Sequence, residues 1–223
     1  MKPVDHLVIL SGGIDSTTIL AKVIDEYGKD HVGAINFFYG QKHAKEMGAA
    51  KRIAGHYGVG FLQMDLRGVF DCIEGNALTD PDNVAMPEGH YSDPSMRQTV
   101  VPFRNLVFIS SAAAYAGSIG AKSLYMGVHA GDHPIYPDCR ANFVEAAREV
   151  LRVGYYEPLK LETPFIDSTK AEIVEFGLQL GIPYELTWTC YEGEIKPCKR
   201  CGACIERVEA FSLNGVEDPL VLG

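Results

Sequence analysis

The sequence predicts an α/β protein with a doubly wound, mainly parallel sheet. Three observations carry this prediction. An apolar run, Leu7-Val8-Ile9-Leu10, reads as a buried strand; Ser11-Gly12-Gly13 breaks it, and Thr17, Thr18, Ile19, Leu20, Val23 and Ile24 follow at helical spacing. Strand and helix patterns then alternate as far as Asp65, the signature of crossover connections between parallel strands. An apolar fraction of 47% over 223 residues supports a sizeable core in one domain, and 22% charged residues suits a hydrated surface.

The first strand and its glycine turn lead directly into a helix N-terminus. That geometry gathers free backbone N–H groups and the positive end of the helix dipole, which suits an anion such as phosphate. Gly12 and Gly13 tolerate positive φ and close approach, Ser11, Ser16, Thr17 and Thr18 add hydroxyls, and Asp15 or Ser16 is placed to cap the helix. No Gly-Lys-Ser/Thr follows, so this is not a Walker A loop.

Val32–Phe38 reads as the second strand, Lys42–Tyr57 as a helix and Phe61–Asp65 as the third strand. His43 and Glu46 share one helical face. They read either as a helix-start pair orienting the loop or, more weakly, as a metal or catalytic pair. Residues 67–99 lack clear periodicity and carry Pro81, Pro87 and Pro94, which predicts a lid, a solvated loop or a set of short elements. Pro102 is placed to open a helix through Gly117, with Arg104 and Asn105 in its first turn. A cation there opposes the helix dipole, so its partner is expected to be a structural carboxylate or a nucleotide.

Ser123–Val128 reads as a fourth strand that runs into a loop dense in Asp, His, Tyr and Arg. Asp132, Tyr136, Asp138 and Arg140 of this loop suit a polar heterocycle, although Asp138 also reads as a cap for a helix from Cys139 to Val153. Lys170 opens a helix through Leu180, where a nearby polyphosphate would explain its position and a solvated lysine is the alternative.

Four of the six cysteines, Cys190, Cys198, Cys201 and Cys204, cluster at metal-ligand spacing. By spacing alone, tetrahedral zinc and an iron–sulfur cluster both fit. No run of about twenty apolar residues suggests a membrane span, and no signal-peptide core precedes the first strand, so a cytoplasmic location is expected. A net charge of −9 argues against a broad nucleic-acid surface while allowing a local basic nucleotide site.

Ser11-Gly12-Gly13-Ile14-Asp15-Ser16 resembles the SGGxDS signature of the PP-loop ATP pyrophosphatase superfamily. With YGQKH and Glu46, VPFRN, YPDCR, TPFIDSTKAEI and TWTCY with its following cysteines, the chain from residue 7 to about 211 resembles the 7-cyano-7-deazaguanine synthase (QueC) family. The resemblance implies ATP-dependent conversion of 7-carboxy-7-deazaguanine and ammonia to 7-cyano-7-deazaguanine, a queuosine and archaeosine precursor. It also implies structural zinc on the four cysteines, and ATP phosphates held by Ser11, Gly12, Gly13, Ile14, Asp15, Ser16, Thr17 and Thr18 with Mg²⁺. Lys170 would neutralise the phosphates, Arg104 is counted with the nucleotide, and Asp15, Ser16 and Lys170 are the catalytic candidates. The Asp132–Arg140 loop would face the deazaguanine. The implied organisation is a PP-loop domain at 1–186 with a zinc-binding segment packed on it at 187–223, acting without direct nucleic-acid or membrane contact and with a homodimer as one possibility.

Two positions depart from the family pattern. Pro134-Ile135 stands where many members read Ser-Gly, and Phe103 where glycine is common. The alternatives are therefore a related PP-loop enzyme that transfers the acid to another amine, or a zinc-stapled nucleotide-binding module without catalysis.

Overall fold

A computed structural model describes residues 1–40, 44–80, 83–90, 93–192 and 196–220, with the backbone alone at 44, 46 and 47. The expected pairing of His43 with Glu46 lies outside the described residues. Five strands form one sheet in the order β3-β2-β1-β4-β5. They are β1 (His6–Ile9), β2 (Val32–Phe38), β3 (Gly60–Asp65), β4 (Ser123–Tyr125) and β5 (Lys160–Glu162), and every neighbouring pair is parallel. The chain builds outward from β1 to β3 and then returns to place β4 on the other side of β1. Strand order thus reverses between β1 and β4, which opens a crevice at their carboxyl ends.

The pleat sends neighbouring residues to opposite faces. Val8, Ala34 and Tyr125 join a first core with helices α1 (Ile14–Tyr27), α2 (Ala44–Tyr57), α6 (Lys170–Gln179) and α7 (Gly202–Leu213). Leu7, Ile35, Leu124 and Leu161 join a second core with α4 (Arg104–Ile119) and α5 (Ala141–Val153). Residues 67–99 hold short elements, namely α3 (Arg67–Phe70) and a 3₁₀ turn at Pro94–Thr99, and Phe70, Leu78 and Met96 anchor them in the second core.

Several expected boundaries move. β4 ends at Tyr125 rather than Val128. Pro102 does not open α4: its N-cap is Phe103, in the left-handed region at φ 54°, and the helix starts at Arg104. Asp138 does not cap the helix that follows it. Pro137–Cys139 is a separate 3₁₀ turn, and α5 starts at Ala141 with Arg140 as N-cap. Neither Asp15 nor Ser16 caps α1, because Gly13 is its N-cap and no side-chain cap accepts from the N–H groups of the first turn. β5 and α7 carry no clear sequence signal. β5 is three residues long, too short for a periodicity count, although buried Leu159, Leu161 and Thr163 do alternate around it. The α7 pattern, with Ala203, Cys204, Arg207, Ala210 and Phe211 buried, has its apolar stripe interrupted by the fully buried Arg207. Among the described residues no helix is long and apolar enough to cross a membrane.

Candidate active site

One cavity occupies the crevice at the carboxyl ends of β1 and β4. The loop after β1 is fixed from below. Leu10 donates its N–H to the Ile35 carbonyl at 2.8 Å, and its own carbonyl accepts from the buried Asn36 side chain at 2.8 Å. Gly12 takes φ 95°, and its carbonyl accepts the Trp188 N–H at 2.8 Å. Gly127, just beyond β4, passes so close to α1 that a Cβ there would lie 3.2 Å from the Ser16 nitrogen and 3.3 Å from the Asp15 Cβ. The uncapped first turn of α1 therefore presents its backbone N–H groups to the cavity, in the form an anion needs.

Of the predicted phosphate loop, Ser11, Gly13, Ile14, Asp15 and Ser16 line the cavity. Ser11 Oγ and Ser16 Oγ are 3.0 Å apart, and Gly13 donates its N–H to Ser11 Oγ at 3.2 Å. Gly12, Thr17 and Thr18 do not line it. Thr17 and Thr18 are fully buried and donate their hydroxyls to the Gly13 and Ile14 carbonyls at 2.7 and 2.9 Å.

Lys170 is the first residue of α6, which a capping box fixes: Glu172 N–H donates to Thr169 Oγ1, and Thr169 N–H donates to the Glu172 carboxylate. From there the Lys170 ammonium crosses to Asp15, with Nζ 2.6 and 2.8 Å from the two carboxylate oxygens, and to Glu206 of α7 at 3.3 Å. The anion that offsets Lys170 in this structure is thus carboxylate. Burial opposes both charges of the pair. The Asp15 and Glu206 carboxylates nonetheless hold the ammonium above the usual lysine range, and the Lys170 charge holds Asp15 below the usual carboxylate range.

His129 and Asp132 complete this cluster. Gly131 N–H donates to His129 Nδ1 at 3.1 Å, which leaves the ring proton on Nε2, facing Asp132 at 3.5 Å and Glu206 at 3.9 Å. Burial and the Lys170 charge push His129 down to about 3, so the imidazole is neutral at pH 7. Burial, reinforced by Asp15 and Glu206, pushes Asp132 up to about 7 in spite of Lys170, and burial likewise raises Glu206.

Arg104, Tyr136, Tyr39 and Tyr191 also line the cavity, Tyr39 and Tyr136 from the second core. The Arg104 guanidinium carbon sits 5.8 Å from the centre of the Tyr136 ring, and the Tyr136 hydroxyl is 2.7 Å from Thr99 Oγ1. Asp138 and Arg140, expected at the substrate, are not brought to the cavity. Asp138 accepts the Asn105 N–H at 2.9 Å and so serves the first turn of α4, while the exposed Arg140 donates to the His133 carbonyl at 2.8 Å. Pro134 and Ile135 do not line the cavity either, and Ile135 is buried in the second core. Tyr39 and Tyr191 lie in the YGQKH and TWTCY motifs and His129 in the loop after β4, although none of the three carried a role of its own in the sequence; Glu206 lies in no motif, and nothing in its local pattern separates it from an ordinary surface residue.

The four cysteines come together at the N-terminus of α7, with Cys201 as its N-cap. Their sulfurs all lie within 4.8 Å of one another. Tetrahedral thiolate coordination at about 2.3 Å would place sulfurs roughly 3.8 Å apart, and the Cys198 and Cys204 sulfurs are 3.9 Å apart. Backbone N–H groups of Cys198 and Glu192 donate to Cys190 Sγ at 3.2 and 3.4 Å. The thiols of Cys201 and Cys204 and these amides hold Cys190 below the usual thiol range, and sharing with Cys190 pushes Cys201 up to about 12. The set has the size and donor chemistry for one thiolate-bound metal ion.

The family model "Queuosine biosynthesis protein QueC" matches residues 5–215, from the segment before β1 to beyond α7. The chain belongs to the QueC family. A relative from Caldicellulosiruptor bescii, named 7-cyano-7-deazaguanine synthase, is 51% identical over 215 residues, covering 96% of this chain and 95% of that protein. Another of the same name from Archaeoglobus fulgidus is 47% identical over 216 residues, covering 96% and 89%. The solved structure of NMN synthetase from Francisella tularensis superposes with a TM-score of 0.51 at 12% identity, covering 96% of this chain and 79% of that one, which is a likeness of fold. The QueC match spans the residues that line the cavity and the four clustered cysteines.

Proposed function

We propose that this chain is a 7-cyano-7-deazaguanine synthase, an ATP-dependent ligase that converts 7-carboxy-7-deazaguanine and ammonia to the nitrile. The observation that carries this reading is the uncapped first turn of α1 opening, beside Lys170, into the cavity of a QueC-family chain. A carboxylate does not condense with ammonia at neutral pH, because oxide would have to leave. Transfer of AMP onto the carboxylate oxygen, with release of pyrophosphate, makes that oxygen a leaving group. The N–H groups of α1 and the Lys170 ammonium stabilise the charge that develops on the departing pyrophosphate. Asp15 positions Lys170, and Ser16 holds the loop through Ser11. Ammonia then displaces AMP, losing a proton, and gives the primary amide. A second adenylation of the amide oxygen and loss of AMP and a proton gives the nitrile, with the amide retained by proximity.

The cofactors in this reading are ATP, Mg²⁺ and Zn²⁺. The excess of carboxylates (Asp15, Asp132, Glu206) over the Lys170 ammonium suits a divalent cation accompanying the triphosphate. The four cysteines suit zinc, which supplies a structural crosslink when bound and leaves no open position for chemistry. Residues 1–186 form the ATP domain in this reading and 187–223 the zinc segment, in a cytoplasmic enzyme, with a homodimer as the assembly to test. Shared packing of Cys190, Cys201, Cys204 and Phe211 with Val8 and Ile19 supports the docking of the two parts.

Incubation with the acid, ATP and ammonium tests the reading. Two AMP and two pyrophosphate are expected per nitrile, with the amide appearing transiently, and the amide supplied directly needs one ATP and no ammonia. Release of ADP and phosphate, or a product carrying a larger amine, overturns it.

A further inference from the structure

Arg104 lines the cavity, yet among the described residues its guanidinium donates no hydrogen bond and no carboxylate oxygen lies within 4.0 Å of it. The other cations of the cavity wall are paired: Arg207 holds Asp218 at 2.8 and 2.9 Å, and Lys170 holds Asp15 and Glu206. Arg104 also stands in the first turn of α4, where a cation is disfavoured. The nearby Asp138 favours the guanidinium charge from beyond ion-pair distance, and its carboxylate accepts the Asn105 backbone N–H rather than an Arg104 N–H.

The surroundings of Arg104 differ from those of the phosphate loop. α1 and Lys170 belong to the face of the sheet with the first core, and α4 to the face with the second, so the two positive groups approach the crevice from opposite sides. The phosphates already have the α1 N–H groups and Lys170. Arg104 instead stands among Tyr39, Tyr136 and Tyr191, a wall of flat rings that suits an anion carried on a planar heterocycle. Burial works against its charge, the tyrosine oxygens and the Asp138 carboxylate favour it, and the guanidinium stays protonated.

We propose that Arg104, a guanidinium without a carboxylate partner among the described residues and set beside three tyrosines on the second-core side of the crevice, receives the carboxylate of the deazaguanine acid and selects that acid over the amide formed from it. The inference rests on the proposed function and deepens it. A guanidinium matches a carboxylate through two parallel N–H···O bonds. The acid must enter a cavity that already carries Asp15, Asp132 and Glu206, and Arg104 offsets that repulsion from the second-core side. The amide of the second round is neutral and has no such need.

The test compares Arg104→Met and Arg104→Lys with the native protein in two reactions: acid with ATP and ammonium, and amide with ATP alone. For Arg104→Met, kcat/KM for the acid is expected to fall about a hundredfold, the equivalent of two charge-assisted hydrogen bonds. The amide reaction is expected to fall by much less, so the acid-to-amide ratio drops at least roughly twentyfold. Arg104→Lys keeps the charge without the fork, and its ratio is expected between the two. Equal losses for acid and amide, or a KM for ATP raised alike in both, would assign Arg104 to the nucleotide and overturn the inference. If the native protein makes no nitrile from the acid, the proposed function itself fails; if it does and the ratio stays unmoved, this inference alone fails.

Discussion

Lys170 and Asp15 stand 155 residues apart in the chain and 2.6 Å apart in the fold, each at the first turn of its own helix. A lysine at one helix N-terminus is tolerated because a carboxylate from another reaches it, and the pair places a fixed positive charge beside the uncapped α1 turn. Lys170→Ala is expected to cost on the order of a hundredfold or more in adenylation rate, as for other transition-state donors. Asp15→Ala should impair the same step by releasing Lys170, and the double variant should lose much less than the two losses combined. Pyrophosphate release in a single turnover measures this, and full turnover by both single variants would move the phosphate site elsewhere.

Cys201→Ser is expected to lower thermal stability and yield before it alters chemistry, because a metal held by the four thiolates would tie the N-terminus of α7 to the Cys190 turn. Elemental analysis of protein purified without chelator should give one zinc per chain. Iron with acid-labile sulfide, or no metal, would contradict the assignment.

Asp132 makes stability depend on pH. Its folded value, about 7, lies above its ordinary 3.8, so the unfolded chain gives up this proton more readily than the native protein. Its contribution is complete below pH 3.8 and is lost as pH rises through 7. Lys170, Asp15, Glu206 and His129 face it. Asp132→Asn removes the term, so its melting temperature relative to the native protein should be more favourable at pH 8 than at pH 5, by on the order of a few degrees. An equal difference at both pH values would show that Asp132 ionises normally.

Arg207 is buried to 2% exposure and is held by Asp218, Thr187 and the Tyr184 carbonyl. Asp218→Ala leaves that guanidinium without its charge partner and is expected to cost roughly 3–5 kcal/mol in denaturant unfolding. A loss below about 1 kcal/mol would mean that water or another group reaches Arg207.

Much of this arrangement was legible in the residues. The strands at 7–10, 32–38 and 61–65, the glycine turn and the position of Lys170 follow from apolar runs, breakers and capping residues, which act locally. The cysteine cluster was legible because metal geometry constrains spacing. What stayed hidden depends on distant partners. Thr17 and Thr18 read as phosphate ligands, but a helix can bond its own threonine hydroxyls to carbonyls one turn back, and sequence does not reveal which way they point. Asp138 read as a cap and is one, but for a helix that precedes it in the chain. Glu206 carried no local signal at all, since its role comes from the packing of α7 against α6, which brings it to Lys170.

The contact between Gly12 and Trp188, like that between Asp15 and Lys170, also bears on how the protein is made. The ribosome finishes the glycine turn well before the lysine, the Trp188 backbone amide that holds Gly12 and the Glu206 carboxylate. A chain cut short before Lys170 therefore carries Asp15 without its cation and a turn without its tether, and the crevice takes its final form only after α7 has emerged.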